Sequence, residues 1–161
     1  MADSTLRFSR CLWLGCMEEL RRRGAGTHES GCFVLGTSQG RRRRAVRCVY
    51  YDELDPRAYA SGVCVLDGTA FPKLWEICRL EGLSVLADIH THPGAAFQSE
   101  ADRRNPMIAR SGHLAVIVPH FADGPIWRHR LGLFRYVGDH RWTDLSGWRA
   151  RSILKVSWSF R

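Results

Sequence analysis

The sequence predicts a mixed α/β fold in a single domain, with a mostly antiparallel sheet flanked by helices. Three observations carry that expectation. The chain has 161 residues, enough for one domain that buries about 70% of its unfolded surface without staples. Short apolar runs of strand length, bounded by glycine or polar turns, outnumber the segments with helical spacing. Hydrophobic residues make up 45% and charged ones 25%, an ordinary globular balance that excludes a disordered or fibrous chain.

The first helix is expected over Leu12 to Arg23, with Leu12, Met17 and Leu20 apolar and Gly24-Ala25-Gly26 as its stop. Cys32 to Leu35 reads as a buried strand, Thr37 to Arg44 as a turn and Ala45 to Tyr51 as the returning strand of a hairpin. Asp52 to Tyr59, polar and holding Pro56, reads as a loop, and Gly62 to Leu66 as a short strand. Asp67 or Thr69 caps a second helix from Pro72 to about Glu81, with Leu74, Trp75, Cys78 and Leu80 apolar. Leu83 to His92 is a strand ending at Pro93-Gly94, and Ser99 opens a short helix that stops before Asn105-Pro106. Leu114 to Val118, Leu131 to Val137 and Ile153 to Phe160 complete the strands, and Trp142, Trp148 and Trp158 are expected to cover one side of the sheet. No stretch is rich enough in Gly, Ser or Pro to divide the chain.

No apolar run approaches the roughly 20 residues of a membrane span. The seven residues Cys11 to Met17, broken by Gly15 and followed by Glu18-Glu19, make a poor signal peptide, so a cytoplasmic protein is expected. Arginine and lysine exceed the acidic residues by eight, and 22 of the 24 cations are Arg. That excess suits an anionic partner, either nucleic acid or an acidic protein face, but names no reaction. The run Arg41 to Arg44 at the hairpin tip is a solvated loop or, secondarily, a patch that steers substrate. Six cysteines stand at 11, 16, 32, 48, 64 and 78, with a gap of sixteen three times over. The intervening residues do not repeat and there is no C-x-x-C pair, so the later four read as small core hydrophobes.

Chemistry is concentrated in His90-Thr91-His92-Pro93 and Ser99-Glu100-Ala101-Asp102. Residues two apart on a strand share a face, so His90 and His92 can ligate one ion. Asp102, one helical turn past Ser99, can bring its carboxylate to the same point. Two imidazoles and a carboxylate leave a fourth tetrahedral position open, the pattern of a catalytic zinc site; calcium and magnesium prefer all-oxygen shells. Ser99 and Asp102 also resemble a capping box, which alone would explain both. Hydrolysis further needs a base, and Glu29, just before the apolar run at Cys32, is placed to be a partly desolvated one. Asp88, two residues before His90 on the same face, is a candidate to hold an imidazole tautomer, with a solvent-facing role as the alternative.

These residues resemble the JAMM/MPN metalloproteases, including the bacterial JAB-type members. The family pattern is a Glu in an E-x-G context, then H-[ST]-H-P and S-x-x-D, matched by Glu29 and Gly31, by His90 to Pro93, and by Ser99 and Asp102. Six residues separate His92 from Ser99, one fewer than is usual, and the resemblance runs from Glu29 to about Val118. It implies a cytidine-deaminase-like fold and one zinc ion per chain on His90, His92 and Asp102. It makes Glu29 the general base and acid and gives Ser99 the stabilisation of a tetrahedral intermediate. It implies a deubiquitinase-like hydrolase cleaving after the C-terminal Gly of a ubiquitin-like protein, as precursor or conjugate, of the sort found in bacterial antiviral operons. Little sequence lies between Asp102 and Leu114, so the long ubiquitin-gripping insertion of larger relatives is expected to be absent.

Two alternatives stay open: processing of a sulfur-carrier protein's C-terminus, and a non-catalytic MPN scaffold or nucleic-acid-binding module. A zinc nucleobase deaminase would need H-x-E and then P-C-x-x-C, and the chain has neither.

Overall fold

The computed structural model describes residues 4–158. Its frame is one eight-stranded mixed sheet in the order β7-β6-β5-β4-β2-β3-β1-β8. The strands are β1 (Thr5–Ser9), β2 (Gly31–Gln39), β3 (Arg42–Tyr50), β4 (Ser84–Thr91), β5 (Leu114–Val118), β6 (Gly132–Gly138), β7 (Arg141–Asp144) and β8 (Leu154–Ser157). The helices are α1 (Arg10–Gly24), α2 (Tyr51–Leu54), α3 (Ala70–Glu81), α4 (Glu100–Arg104) and α5 (Trp148–Ile153). Among the described residues no helix is long and apolar enough to cross a membrane.

Alternation along the central strands sends side chains into two cores. Cys32 and Val34 of β2 and Ala87 and Ile89 of β4 pack with Trp13, Cys16, Met17 and Leu20 of α1. Phe33 and Leu35 point the other way, into a second core with Tyr51, Leu54, Leu74 and Cys78 under α3. Because β2 and β4 are buried on both faces, they read as continuous apolar runs rather than as alternating ones. The Ser9 side chain accepts the Leu12 N–H to start α1, and Gly82, at φ 64°, ends α3 in the left-handed conformation that costs glycine little.

The structure alters several sequence expectations. The hairpin turn shrinks to Gly40-Arg41, because β2 continues to Gln39 and β3 begins at Arg42. Arg42 to Arg44 pair with Thr5 to Arg7 of β1 as well as with β2, so backbone bonding on both sides makes strand of a polar run. Arg43 is further tied to the carbonyls of Leu86 and Gly112. Asp52 to Leu54 are helical, with the Glu53 carboxylate accepting the Tyr50 N–H. Gly62 to Leu66 is not a strand: Val65 N–H goes to Ala58 O and Cys64 N–H to Glu29, leaving no ladder to join.

Strands β1 and β7 and helix α5 were not expected from the sequence, being short and weakly patterned. The final strand stops at Ser157, and the part of the expected strand at Ser159-Phe160 lies outside the described residues. Trp148 and Trp158 are exposed rather than laid against the sheet, whereas Trp142 packs edge-on against Tyr136. On α3, Trp75 and Leu80 also face outward, and Ala70, Leu74 and Cys78 are the buried face.

Candidate metal centre

His90 and His92 sit at the carboxyl end of β4, where the strand is held on both sides. Gly31 of β2 pairs with His90, and β5 runs parallel to β4 with Ile117 opposite His90. The strand's end is fixed by further bonds: Thr91 N–H to Ser30 O, His92 N–H to Val118 O, and Ser30 N–H to the Thr91 hydroxyl. Ser30 also donates to Leu20 O, so the last turns of α1 are bonded to the same point. Both imidazoles are buried, and their Nε2 atoms face one another at 3.2 Å.

Asp102 closes a triangle with them. Its Oδ1 is 3.5 Å from His90 Nε2 and its Oδ2 is 3.3 Å from His92 Nε2. Ligand atoms bound tetrahedrally at 2.0–2.2 Å lie about 3.3–3.6 Å apart, and these separations, though the two to Asp102 end on different carboxylate oxygens, are close to that range. Two ring nitrogens and a carboxylate aimed at one point need a positive charge between them, and an ion or a shared proton can provide it. The donors are borderline, which favours zinc or a similar divalent ion over calcium or magnesium.

Electrostatics at the triangle follow the same logic. Burial works against a charged His90, but the Asp102 and Asp88 carboxylates outweigh it and push the imidazole up to about 10. Burial would raise Asp102, yet the two histidines and Ser99 hold its carboxyl well below the usual range. A cation bound there takes the place of that proton, so binding is coupled to proton release.

Asp88 is buried, which rules out the solvent-facing alternative. Its Oδ1 bonds His113 Nε2 at 2.7 Å, and its Oδ2 lies 3.6 Å from His90 Nδ1, which has no other partner. Desolvation opposes the Asp88 charge, but His113 and His90 keep it below its ordinary value. His113 was not singled out from the sequence, where a lone histidine before a strand gives no signal.

Ser99 and Asp102 do form the reciprocal cap of α4. Ser99 N–H and Oγ donate to Asp102 Oδ2 at 2.8 and 2.7 Å, and Asp102 N–H returns to Ser99 Oγ at 3.1 Å. Cap and ligand are therefore the same carboxylate. A single aspartate starts the helix and faces the histidines.

Glu29 comes to the edge of the triangle at His92. Its Oε1 is 3.8 Å from His92 Nε2, and its Oε2 accepts the Cys64 N–H at 3.1 Å. The segment expected to be a strand thus serves to hold this carboxylate, aided by a bond from Glu29 N–H to Gly62 O. Tyr59 supports the same loop, its hydroxyl donating to Gly31 O and accepting Gly31 N–H. Gly31 has to be glycine, because a Cβ there would lie 2.3 Å from the buried Tyr51 ring.

The arginine run does not join this centre. Gly31 is at one end of β2 and Gln39, paired with Arg42, at the other. Eight residue steps of strand separate them by roughly 26 Å, so Arg41, Arg42, Arg43 and Arg44 do not touch the site.

Beneath His92 lies an unusual turn. His120, Phe121 and Ala122 all have left-handed φ, between 53° and 60°. Non-glycine residues there cost on the order of 1 kcal/mol each and persist only where their surroundings fix them. Here Phe121 N–H donates to His92 O and His120 N–H to Gly94 O, tying the turn to the chain around the second histidine.

The triangle opens into a cleft of about 430 Å³ whose walls include Glu29, Val63, Val65, Phe71, Ser99 and Met107. Phe97, exposed, stands edge-on to His92 at the rim.

With this geometry in view, two likenesses bear on its use. The chain is 28% identical over 127 residues, 78% of each protein, to the probable metalloprotease y4jG of Sinorhizobium fredii. It also shares its fold with the solution structure of protein DSY2949 from Desulfitobacterium hafniense. The TM-score there is 0.69 at 13% identity, covering 98% of this chain and 96% of that one. No family model matches the chain. The first likeness, together with the ligand triangle, supports a metalloprotease family, a hydrolytic role and a bound metal.

Proposed function

We propose that this protein is a zinc-dependent peptidase or isopeptidase of the JAMM/MPN type, cleaving after the C-terminal Gly of a ubiquitin-like protein. The observation that carries the peptidase reading is Glu29, a carboxylate aimed across the cleft at a triangle of two imidazoles and one aspartate. A divalent metal held by His90, His92 and Asp102 supplies Lewis acidity toward a carbonyl oxygen and acidifies water.

The chain's own residues do the rest. Glu29 is half-buried and is oriented by the Cys64 N–H on its Oε2, so its Oε1 takes the water proton and returns it to the leaving amine. Asp88 and His113 hold the ring of His90. Ser99 Oγ, now donating to Asp102, can turn toward a developing oxyanion.

The substrate side of the reading rests on the motif resemblance and on the cleft's shape. A peptide tail lying extended in this cleft would run past apolar walls at Val63, Val65 and Met107. A glycine at the scissile position, lacking Cβ, lets the carbonyl approach most closely. Such a cut matches either a precursor or a conjugate in a bacterial ubiquitin-like, antiviral pathway.

The test is to incubate the zinc-loaded protein with fusions to a panel of bacterial ubiquitin-like proteins and to map the cut by mass spectrometry. Cleavage immediately after the terminal Gly, lost when that Gly is made bulky, is the expected result. Cleavage indifferent to the tail, or none in any fusion, would overturn the substrate assignment.

A further inference from the structure

The cysteine spacing noted in the sequence has a structural outcome that the peptidase reading does not use. Cys16 on α1, Cys32 on β2 and Cys48 on β3 place their sulfurs within 4.8 Å of one another, and Cys16 Sγ lies 3.7 Å from Cys32 Sγ. The pairing explains the convergence: Cys32 is opposite Tyr50 and Cys48 opposite Val34, so the two are diagonal neighbours on one face of the hairpin. Cys16 comes down on them from the helix that covers that face. It is the opposite face of β2 and β4 from Asp88 and His90, so the cluster is separate from the histidine centre.

We infer that Cys16, Cys32 and Cys48 form a second metal site, a three-thiolate pocket for a soft, thiophilic divalent cation such as zinc or cadmium. Three sulfurs about 2.3 Å from one ion lie about 4.0 Å apart if the ion is in their plane and about 3.8 Å apart if it is tetrahedral. The 3.7 Å between Cys16 and Cys32 lies close to the tetrahedral value, and no pair of the three sulfurs is farther apart than 4.8 Å. Thiolates are soft ligands and select such ions over magnesium or calcium.

Charge favours a divalent ion. Three thiolates around it leave a net charge of −1, against −2 around a monovalent one, and the apolar core around Met17, Leu20 and Val34 penalises each unit. Binding forms three metal–sulfur bonds and breaks an S–H bond at each protonated sulfur, those protons leaving to solvent; nothing is oxidised. Cys16 and Cys32 are buried, whereas Cys48 is half-buried, which gives an ion its way in. Among the described residues no carboxylate is grouped with the three sulfurs, so the pocket binds without a base to do chemistry.

The decisive readout is the near-ultraviolet thiolate-to-metal charge-transfer band, which a His/Asp site cannot produce. The full chain, reduced and metal-free, is titrated with Cd²⁺ under anaerobic conditions. A thiolate band saturating at a single Cd²⁺ per chain is expected, with a rise in melting temperature. The band should persist in Cys11→Ser, Cys64→Ser and His90→Ala/His92→Ala. It should be lost or weakened at least tenfold in apparent affinity in Cys48→Ser and, as a second variant on another element, in Cys16→Ala. Unchanged far-ultraviolet circular dichroism shows that each variant is folded. No band in the wild type, a band surviving both variants, or a Cys16–Cys32 disulfide forming where Cd²⁺ does not bind would each overturn the site. Because the measurement ignores turnover, its failure is distinct from failure of the peptidase reading.

Discussion

The two faces of β2 and β4 carry two ligand triads built in opposite ways. On one face His90, His92 and Asp102 come from thirteen consecutive residues, with partly exposed carboxylates and a cleft leading to them. On the other, Cys16, Cys32 and Cys48 come from three elements sixteen residues apart and lie under α1, with only Cys48 half-buried. Both sets of donors converge on one point, with no ligand atom of either triad more than 4.8 Å from the others. What separates them is company: the histidine triad has the Glu29 carboxylate beside it and Asp88 behind the His90 ring, and the cysteine triad has neither among the described residues. Convergence of donors makes a binding site, and only an accessible position with a titratable group beside it makes a reactive one.

The largest effect that can break this contrast is removal of one triad. His90→Ala/His92→Ala is expected to lose the histidine-site zinc and all turnover while leaving the fold intact. Metal analysis and a cleavage assay on the same preparation check this; zinc content equal to wild type would remove the site. Next in size, Glu29→Gln should keep the metal but slow cleavage about 10²–10⁴-fold, the usual contribution of a general base. A wild-type rate would reduce Glu29 to a structural carboxylate that holds the Cys64 N–H.

Asp88→Ala should weaken metal affinity by about 10–100-fold through the loosened His90 ring. It should also destabilise the fold by about 1–3 kcal/mol through the unpaired His113. Competition with a chelator and urea unfolding measure the two separately, and no change in either would contradict the role given to Asp88. The smallest effect is expected for Ser99→Ala, which removes one cap and should cost about 1 kcal/mol of stability. If its loss in turnover exceeds what weakened metal binding explains, Ser99 also acts on the substrate.

How much of this was legible in the sequence follows the same division between local and distant. His90, His92, Ser99 and Asp102 announce themselves because strand and helix periodicity place them without reference to the rest of the chain. Glu29 was readable only through a motif, since what holds it is Cys64, thirty-five residues on, in a segment whose apolar character suggested a strand. His113 and the cysteine triad were invisible as sites because each depends on register between elements. The interval of sixteen was visible, but only the hairpin's pairing and the position of α1 show that it brings sulfurs together. Arg42 to Arg44 show the reverse case: a charge run looked like a solvated tip, but pairing on both sides made strand of all but Arg41.

The left-handed turn at His120–Ala122 carries a consequence for protein engineering. Exchanging Phe121 for glycine would relieve backbone strain, and by that measure alone the turn is a natural target for making the protein more heat-resistant. Yet its amides hold the carbonyls of His92 and Gly94, so a freer backbone would let the second histidine drift. The strain is a reserve of rigidity lodged where the ligands must not move. Selection for robustness and selection for catalysis would pull this turn in opposite directions.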